Sequence, residues 1–410
     1  MIIQFSFGNV LSFKEPACLS MVATSLKEPK VANNPVTAVG DTGIGLLSSA
    51  AVFGANASGK SNIIKAFRFF KDFTVNSFGN AKAGRSAGIE NFRLNSESIA
   101  EPSSFELIFL CNENRYRYGF EVLNSSVKME WLYCKSVRKR AKEIELLFRD
   151  ENGTRVHSSY VRMLDIVRKQ YVRSDTLCLS LAAWLNDPTA VKIMQWMSDT
   201  AILSCSDEKS MWDDAMYHFD DSRIRQRIVS FSRFADLGID SIKKIDDHLV
   251  STHIQYDADG KAAKEIIFPF TENESEGTIK YFGLAYPIIH TLDTGGRLII
   301  DEFDSKLHPL LTSSIVGLFS SAETNPHHAQ LIFTTHDTAL LGAKLFRRDQ
   351  VWFTEKDIYS ASSLYSLSEY KVRSGAAFER DYLSGRYGAT PILGDLTEVF
   401  TERENHGAIA

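Results

Sequence analysis

The sequence predicts an α/β fold in which short buried strands alternate with helices. Two apolar runs, RLIID (297–301) and QLIFTT (330–335), have the length and composition of parallel strands that are covered on both faces. A third run, SSAAVF (48–53), leads through a glycine-rich loop into SNIIKAFRFFKDF (61–73), whose apolar residues recur at helical spacing. This strand–loop–helix order is typical of an α/β domain.

The N-terminal part of the chain predicts additional antiparallel β-structure. Ile3, Phe5 and Phe7 alternate with polar neighbours, as in a half-buried first strand. SFELIFL and YRYGFEV (104–110 and 116–122) are joined by the polar turn CNENR, which predicts a β-hairpin.

The composition excludes several classes of protein. The chain has 410 residues, 44% of them hydrophobic and 24% charged, which are ordinary values for a globular protein. Its net charge of −5 provides no overall attraction for nucleic acid. We expect neither a signal peptide nor a membrane span, and hence a cytoplasmic protein. The scattered cysteines form no C-x-x-C pair and favour a reducing compartment over a zinc or disulfide framework. They are Cys18, Cys111, Cys134, Cys178 and Cys205.

The segment GANASGKS (54–61) matches the phosphate-binding pattern G-x-x-x-x-G-K-[ST] in full. Its glycines allow backbone N–H groups to face phosphate oxygens. Lys60 would neutralise the β- and γ-phosphates, and Ser61 would offer a hydroxyl to Mg²⁺. A glycine-rich turn with an incidental lysine is the alternative, which the flanking strand and helix disfavour. The predicted nucleotide-binding residues are Gly54, Asn56, Ser58, Gly59, Lys60, Ser61 and Asn62.

The run LIIDEFDSKLHP delivers two acids at the end of a buried strand. Asp301 is predicted to hold Mg²⁺, and Glu302 is predicted to orient or deprotonate the attacking water. Two acids that end a surface strand are the alternative interpretation.

The run QLIFTTHDTALL (330–341) places a histidine directly after a buried strand. His336 is predicted to donate to the γ-phosphate and to report its loss, although a lone histidine is more often structural. The order along the chain, with the phosphate loop first and the two acids next, favours the functional role. Together with Lys60 and Glu302, His336 makes up the predicted catalytic set.

A second set of small polar residues opens the helix in TENESEGTIKYFGLAYPIIH (271–290). Ser275, Gly277 and Thr278 have the composition of another phosphate cradle, far along the chain from the first. We interpret them as residues that serve the nucleotide of another subunit. An ordinary helix N-cap is the alternative.

Taken together, GANASGKS, SEGTIKYFGLA, LIIDEFDSKLHP and LIFTTHD resemble the ABC-type ATPase head shared by SMC-like, OLD-like and ABC proteins. FSFGNVLSFKEPACLSMVA near the start, with VWFTEKD, YSLSEYKVR and YLSGRYGATP later, looks like a narrower bacterial group. That group comprises the ABC-type "AAA family ATPases" linked to abortive phage infection, of the AbiL and RloA kind and akin to the ATPases of the Septu and PARIS systems. The resemblance covers most of the chain and is weakest between about 150 and 250.

This resemblance implies an ABC-type P-loop NTPase head with an N-terminal antiparallel β subdomain and a helical insertion. ATP and Mg²⁺ are the implied cofactors. In such heads the signature segment contacts the γ-phosphate held by the opposite protomer, so 275–278 would complete another subunit's site. A homodimer or higher homo-oligomer is therefore expected, although the segment departs from the common L-S-G-G-Q.

The expected parts of the head are residues 1–155 with the P-loop and the β subdomain, 156–250 as a helical insertion, and 251–410 with the signature, the two acids and His336. The insertion, helical from about 158 to 240, is expected to contact a partner, another subunit or DNA. It lacks sustained heptads, which argues against long coiled-coil arms.

The sequence after His336 predicts no appended Toprim nuclease. Glu355 and Asp357 form a weak metal pair there, and a solvated turn is the better interpretation.

Two basic clusters, in 134–143 and 222–233, have two interpretations. A solvated face is the commoner one, and a surface for DNA or a partner protein is the other. The cationic residues concerned are Arg138, Lys139, Arg140, Lys142, Arg223, Arg225, Arg227 and Arg233.

Three functions remain open at this stage. The first is a dimerising ATPase of an anti-phage system that controls a separately encoded effector, such as a nuclease. The second is an SMC-like DNA-repair or DNA-clamping protein. The third is the ATP-hydrolysing subunit of a transporter. The helical insertion and the departure of the signature segment from L-S-G-G-Q disfavour it. The residues do not distinguish the first two functions, and the family resemblance favours the first function.

Overall fold

The computed structural model describes residues 1–26, 36–40, 42–82, 88–138, 140–168, 172–204, 208–235, 238–245, 247–371 and 377–391. Its strands are β1 (Ile2–Gly8), β2 (Ala17–Ser20), β3 (Thr37–Ala38), β4 (Gly45–Leu46), β5 (Ser49–Gly54), β6 (Ser103–Cys111), β7 (Asn114–Leu123), β8 (Ser126–Ser136), β9 (Ile144–Asp150), β10 (Gly153–Val156), β11 (Thr200–Leu203), β12 (Ser241–Ile245), β13 (His248–Tyr256), β14 (Ala262–Pro269), β15 (Arg297–Ile300), β16 (Gln330–Thr334), β17 (Val351–Lys356) and β18 (Ser362–Ser366). Its helices are α1 (Lys60–Lys82), α2 (Val161–Arg168), α3 (Cys178–Trp184), α4 (Pro188–Ser198), α5 (Glu208–His218), α6 (Ser222–Phe234), α7 (Phe270–Asn273), α8 (Glu276–Thr294), α9 (Pro309–Ser320), α10 (Ala339–Gly342) and α11 (Phe378–Leu383).

A mainly parallel sheet carries the predicted motifs along one edge. Its strand order is β11-β15-β16-β5-β17-β18, and all neighbours are parallel except β17 and β18. The sheet is buried on both faces, because Ala50 and Val52 of β5 pack into one hydrophobic cluster while Ala51 and Phe53 pack into another. In this strand order, β5, which leads into the P-loop, lies between β16, which precedes His336, and β17.

An antiparallel sheet with the order β10-β9-β8-β7-β6-β1-β2 covers α1 from the other side. The aromatic side chains of α1 fill the space between the two sheets. Phe70 stacks on Phe120 of β7 with ring centres 5.4 Å apart, and Phe67 lies 4.2 Å from Phe5 of β1. The helix that begins at the P-loop is thus fixed by packing along its length rather than by its N-terminus alone.

The region from 156 to 250 combines helices with strands that the apolar pattern did not predict. Helices α2 to α6 lie here, but β11 joins the parallel sheet beside β15, and β12 begins a three-stranded antiparallel sheet with β13 and β14. The buried Glu130 carboxylate of β8 accepts the N–H groups of Cys178 and Leu179, at 2.7 and 3.0 Å. This contact ties α3 to the antiparallel sheet.

The predicted α/β fold is confirmed, with its antiparallel β-structure near the N-terminus. The structure also confirms the 104–122 hairpin and the strands that lead to the P-loop, to Asp301 and to His336. Within the described ranges no helix is long and apolar enough to cross a membrane. The described cysteines are unpaired. Two residues of the sequence predictions, Lys139 and Cys205, lie outside the described residues.

Candidate nucleotide-binding site

The two glycines of the P-loop stand where a side chain has no room. A Cβ on Gly54 would lie 2.5 Å from Thr354 Oγ1 and 2.6 Å from Ser58 Oγ. Gly59 has a φ of 115°, and a Cβ there would lie 2.5 Å from Ser362 Oγ. The loop therefore needs glycine at both positions, as the pattern predicts.

A serine network supports the P-loop from behind. Ser362 Oγ donates to the Ser58 carbonyl at 2.7 Å and lies 2.8 Å from Ser12 Oγ, whose hydroxyl can donate to it. The Asn62 amide donates to Ser12 Oγ at 2.8 Å, and Ser58 Oγ lies 2.6 Å from Thr354 Oγ1. The side chains of Ser58 and Asn62, predicted to bind nucleotide, thus also hold the loop in shape.

Lys60 is buried at the first turn of α1, and its ammonium group lies over its own loop. The Nζ donates to the carbonyls of Gly54 and Ala55 at 2.7 and 2.9 Å. Burial lowers the pKa of Lys60 to about 8, although the nearby carboxylates of the 301–304 segment favour its charged form. An anionic phosphate bound in the pocket would favour the charged ammonium group further.

The two acids after β15 are arranged around one hydroxyl group. Thr334 Oγ1 donates to Asp301 Oδ1 at 2.6 Å and accepts the N–H of Glu302 at 2.8 Å. Asp301 is buried, and Glu302 has a φ of 50°, in the left-handed region. The buried Thr334 side chain therefore holds the Asp301 carboxylate and the Glu302 backbone in place.

His336 follows the strand next to these acids, as the sequence predicts. Its backbone N–H lies 3.2 Å from both carboxylate oxygens of Asp304. Partial burial and the charge of Lys60 lower the pKa of the imidazole, against the opposing effect of Asp304 and the other acids. A neutral imidazole at neutral pH has one N–H to donate.

One pocket of about 440 Å³ brings these groups together from distant parts of the chain. Among the described residues that line it, none belongs to 275–278. The lining residues are Asn56, Ala57, Gly59, Lys60, Ser61, Asn62, Glu302, His336 and Lys356.

Lys356 is a pocket residue that the sequence interpretation missed. It ends β17, whose register with β5 pairs Thr354 with Gly54, so the next residues reach the P-loop. It also lines a neighbouring cleft of about 880 Å³ formed by the P-loop and the 382–391 segment. The sequence FTEKD points only to its acids, whereas the pairing of β17 with β5 places its lysine at the pocket.

Ser275 caps α8 within its own chain. The Ser275 Oγ accepts the N–H of Thr278 at 3.1 Å, as in an ordinary N-cap. A contact within the chain also explains why residue 277 is a glycine, since a Cβ there would lie 2.6 Å from the Lys306 carbonyl. A role in binding another subunit's nucleotide stays a prediction, and it would have to coexist with these contacts.

The residues expected to hold Mg²⁺ fit a hard cation. Ser61 offers a hydroxyl at the start of α1 and Asp301 a carboxylate at the end of β15, and oxygen ligands of this type suit Mg²⁺. The Asp301 charge raises the pKa of Lys60, against the larger effect of burial, although Asp301 itself does not line the pocket.

The second candidate metal pair is engaged in local structure. Tyr365 OH donates to Glu355 at 3.0 Å, while Asp357 accepts the N–H groups of Tyr359 and Ala361 at 2.9 and 2.8 Å. Asp357 therefore closes a turn. Over the part of the chain that the structure describes, no group of three or more His, Cys, Asp or Glu residues could hold a metal ion.

The mainly parallel sheet and this pocket are those of a P-loop nucleotide-binding protein. The family model described as "AAA domain, putative AbiEii toxin, Type IV TA system" matches residues 49–342. The chain belongs to this family, whose model spans the P-loop, the acids and His336.

The solved structures that are similar to the chain at low identity include an SMC head domain and two structures of RecF. The SMC head domain from Thermotoga maritima is 14% identical with a TM-score of 0.41, over 89% of this chain and 98% of that one. The recombination mediator RecF–ATPrS of the RecFOR pathway is 11% identical with a TM-score of 0.28, over 89% and 98%. RecF–ATP is 12% identical with a TM-score of 0.25, over 82% and 92%. No curated protein sequence matches the chain.

Proposed function

We propose that the chain binds and hydrolyses ATP with Mg²⁺ as cofactor. The observation that carries this proposal is the pocket that joins Lys60 and Ser61 to Glu302 and His336. Phosphates placed there would meet an ammonium group, a hydroxyl and the N-terminus of α1 on one side, and a carboxylate and an imidazole on the other.

Glu302 is the proposed general base. Its carboxylate accepts a proton from water as the water oxygen bonds to the γ-phosphorus and the bond to the ADP oxygen breaks. Lys60 neutralises charge on the phosphates, and His336 donates to the γ-phosphate. Ser61 and Asp301 would hold Mg²⁺, which neutralises further charge when bound.

Phosphate release and nucleotide binding test this assignment separately. Glu302→Gln should bind ATP within about threefold of the wild type and lose turnover by on the order of 100-fold or more. Lys60→Ala should lose binding, because the phosphate charge is left uncompensated. Unimpaired turnover by Glu302→Gln would remove Glu302 from the mechanism, and absence of ATPase activity in the wild type would overturn the proposal.

The active unit proposed here is a homodimer or higher homo-oligomer, in which 275–278 of one chain faces the nucleotide of another. The support is that the described pocket around Lys60 lacks these residues, whereas Ser275 is exposed at the start of α8. A neighbouring chain could therefore bring its own α8 terminus to the open side of the pocket.

The local contacts of this segment decide which variant tests the oligomeric site. A substitution at Gly277 would strike the Lys306 carbonyl of its own chain. Ser275→Asp instead keeps an N-cap acceptor and adds a negative charge that would face the γ-phosphate. Ser275→Asn is the matched control, because it caps equally well without charge.

Mixing two defective chains then locates the segment. Ser275→Asp should spare ATP binding by a single chain and lose ATP-stabilised association and turnover, while Ser275→Asn keeps both. Heterodimers of Ser275→Asp with Lys60→Ala have one intact composite site and should recover part of the turnover. Confirmed heterodimers that stay inactive, or normal turnover by Ser275→Asp, would contradict the arrangement.

The biological role proposed is that of an anti-phage ATPase that senses infection and controls a separately encoded effector, for example a nuclease. The support is membership of a family whose description names a putative AbiEii toxin and a type IV toxin–antitoxin system. The test is copurification with the products of adjacent genes, followed by nuclease assays with and without ATP. Recombination genes alongside, and no toxic partner, would contradict this role.

A second candidate, an SMC-like DNA-clamping or repair ATPase, is favoured by one observation. A pocket of about 200 Å³ at the rim of the antiparallel sheet is lined by Arg115, Lys135, Arg138 and Arg140. Ion pairs occur in both clusters, since Arg115 pairs with Glu143, Arg138 with Glu113 and Arg227 with Asp293. Because Arg138 and Arg140 line this pocket and Arg223 and Arg225 do not, reversing charge at the first two should weaken DNA binding and its salt dependence more than reversal at the other two.

A further inference from the structure

Lys280 is a buried lysine on α8, close behind the segment 275–278. Its side chain is 4% exposed. The Nζ donates to three backbone carbonyls of one turn, those of Glu302 at 3.2 Å, Phe303 at 3.4 Å and Ser305 at 2.7 Å. A buried ammonium group is unfavourable unless its donors are used, and here they converge on the turn that carries the proposed general base.

The turn that Lys280 holds has an uncommon backbone. Glu302 and Lys306 have φ values of 50° and 62°, in a region that residues with a Cβ rarely adopt. The Glu302 N–H is held by Thr334 on one side, and its carbonyl is held by Lys280 on the other. The direction of the Glu302 carboxylate therefore depends on contacts from two other elements.

The start of α8 touches the same turn at two further points. Gly277 lies so close to the Lys306 carbonyl that a Cβ would be 2.6 Å from it. Glu276 forms an ion pair with Lys306 at 3.4 Å. Segment 275–280 and turn 302–306 are consequently packed as one unit.

We propose that Lys280 is a positioning residue for Glu302 and couples the start of α8 to the catalytic turn of the same chain. A shift of 275–278 when it meets another subunit's nucleotide would then be transmitted to this chain's own Glu302. The inference rests on the proposed roles of Glu302 and of 275–278, and no direct contact between Lys280 and nucleotide is required.

The experiment compares three variants of the full chain. Lys280→Met keeps the length of the side chain and removes its donors and charge, whereas Lys280→Arg keeps both. Lys264→Met is the control, because Lys264 is exposed on β14. The measurements are kcat and KM for ATP, thermal unfolding, and amide hydrogen exchange of the peptide that covers 301–308.

Lys280→Met should lower kcat by on the order of 10- to 100-fold with KM changed less than about threefold, since a displaced base impairs only the transition state. Amide exchange in 301–308 should rise while the P-loop helix keeps its protection. Lys280→Arg should recover part of both. In a Glu302→Gln background, Lys280→Met should cause little further loss, because Lys280 acts through Glu302.

Each contrary result has a distinct meaning. Normal kcat and normal exchange in folded Lys280→Met would overturn the inference while leaving the ATPase proposal intact. A raised KM at normal kcat would make Lys280 a binding residue instead. If Lys280→Met does not fold, Lys280→Arg becomes the deciding variant. Wild-type kcat and wild-type amide exchange in Lys280→Arg would support positioning by the cation. A uniform rise in its amide exchange across the chain would make the role of Lys280 structural. Exchange remains informative even if the wild type proves inactive.

Discussion

Replacing Thr334 with valine would remove one hydroxyl group from the centre of the candidate site and leave the side-chain shape almost unchanged. Thr334 Oγ1 lies 2.6 Å from Asp301 Oδ1 and 2.8 Å from the Glu302 nitrogen. The side chain is fully buried, at 0% exposure, so water has no access to replace the lost group. Both acids would lose this shared partner at once.

The size of the effect follows from the two bonds. A hydrogen bond to an ionised carboxylate contributes about 2 kcal/mol and one to a backbone N–H about 1 kcal/mol. The loss of both bonds removes about 3 kcal/mol of stabilisation. Part of this loss lowers the stability of the fold, and part raises the barrier to hydrolysis. Since about 1.4 kcal/mol corresponds to a tenfold change in rate, we expect kcat to fall about 10- to 100-fold. The free energy of unfolding should fall by about 1–2 kcal/mol.

The assay is steady-state phosphate release at several Mg²⁺ concentrations, with urea unfolding of the same samples. Thr335→Val is the matched control, because its neighbouring, fully buried hydroxyl accepts the Asp337 N–H at 3.0 Å and serves the next turn. A wild-type kcat and Mg²⁺ dependence for Thr334→Val would refute the role of the hydroxyl. Equal losses in both variants would show that the effect is one of general packing.

Three further predictions concern other parts of the chain. ATP affinity should fall as pH rises above about 8, because burial lowers the pKa of Lys60 to about 8 and phosphate binds its protonated form. Equilibrium titration should show up to about a tenfold weaker affinity per pH unit. Lys60→Arg should flatten this pH profile. Phe70→Ala should lower the free energy of unfolding by about 3–5 kcal/mol in urea, because the fully buried ring packs between α1 and the antiparallel sheet, and a loss below about 1 kcal/mol would contradict that packing. Lys356→Met should weaken ATP binding about threefold to tenfold through loss of one phosphate-facing charge, whereas the exposed Lys344→Met should not; equal affinities would place Lys356 outside the site.

Local patterns were sufficient where one stretch of chain forms the whole structural element. The P-loop is such a case, because the glycines, the lysine and the start of α1 are contiguous, and the structure shows why a side chain does not fit at Gly54 or Gly59. The short β11 was not predicted, because four residues, Thr200–Leu203, show no periodicity of their own. They form a strand because β15 offers an edge with which to pair.

The α/β fold, the glycine-rich loop and the two acids at the end of a buried strand could be predicted from the sequence, since each depends on neighbours within a few residues. How these parts meet depends on contacts between distant segments. Thr334 bridges Asp301 and Glu302 from the adjacent strand, Lys356 reaches the P-loop because β17 pairs with β5, and Lys280 holds the turn after Glu302 from α8. The physical reason is that strand order and helix packing set these distances, and neither is encoded in the spacing of residues along one segment.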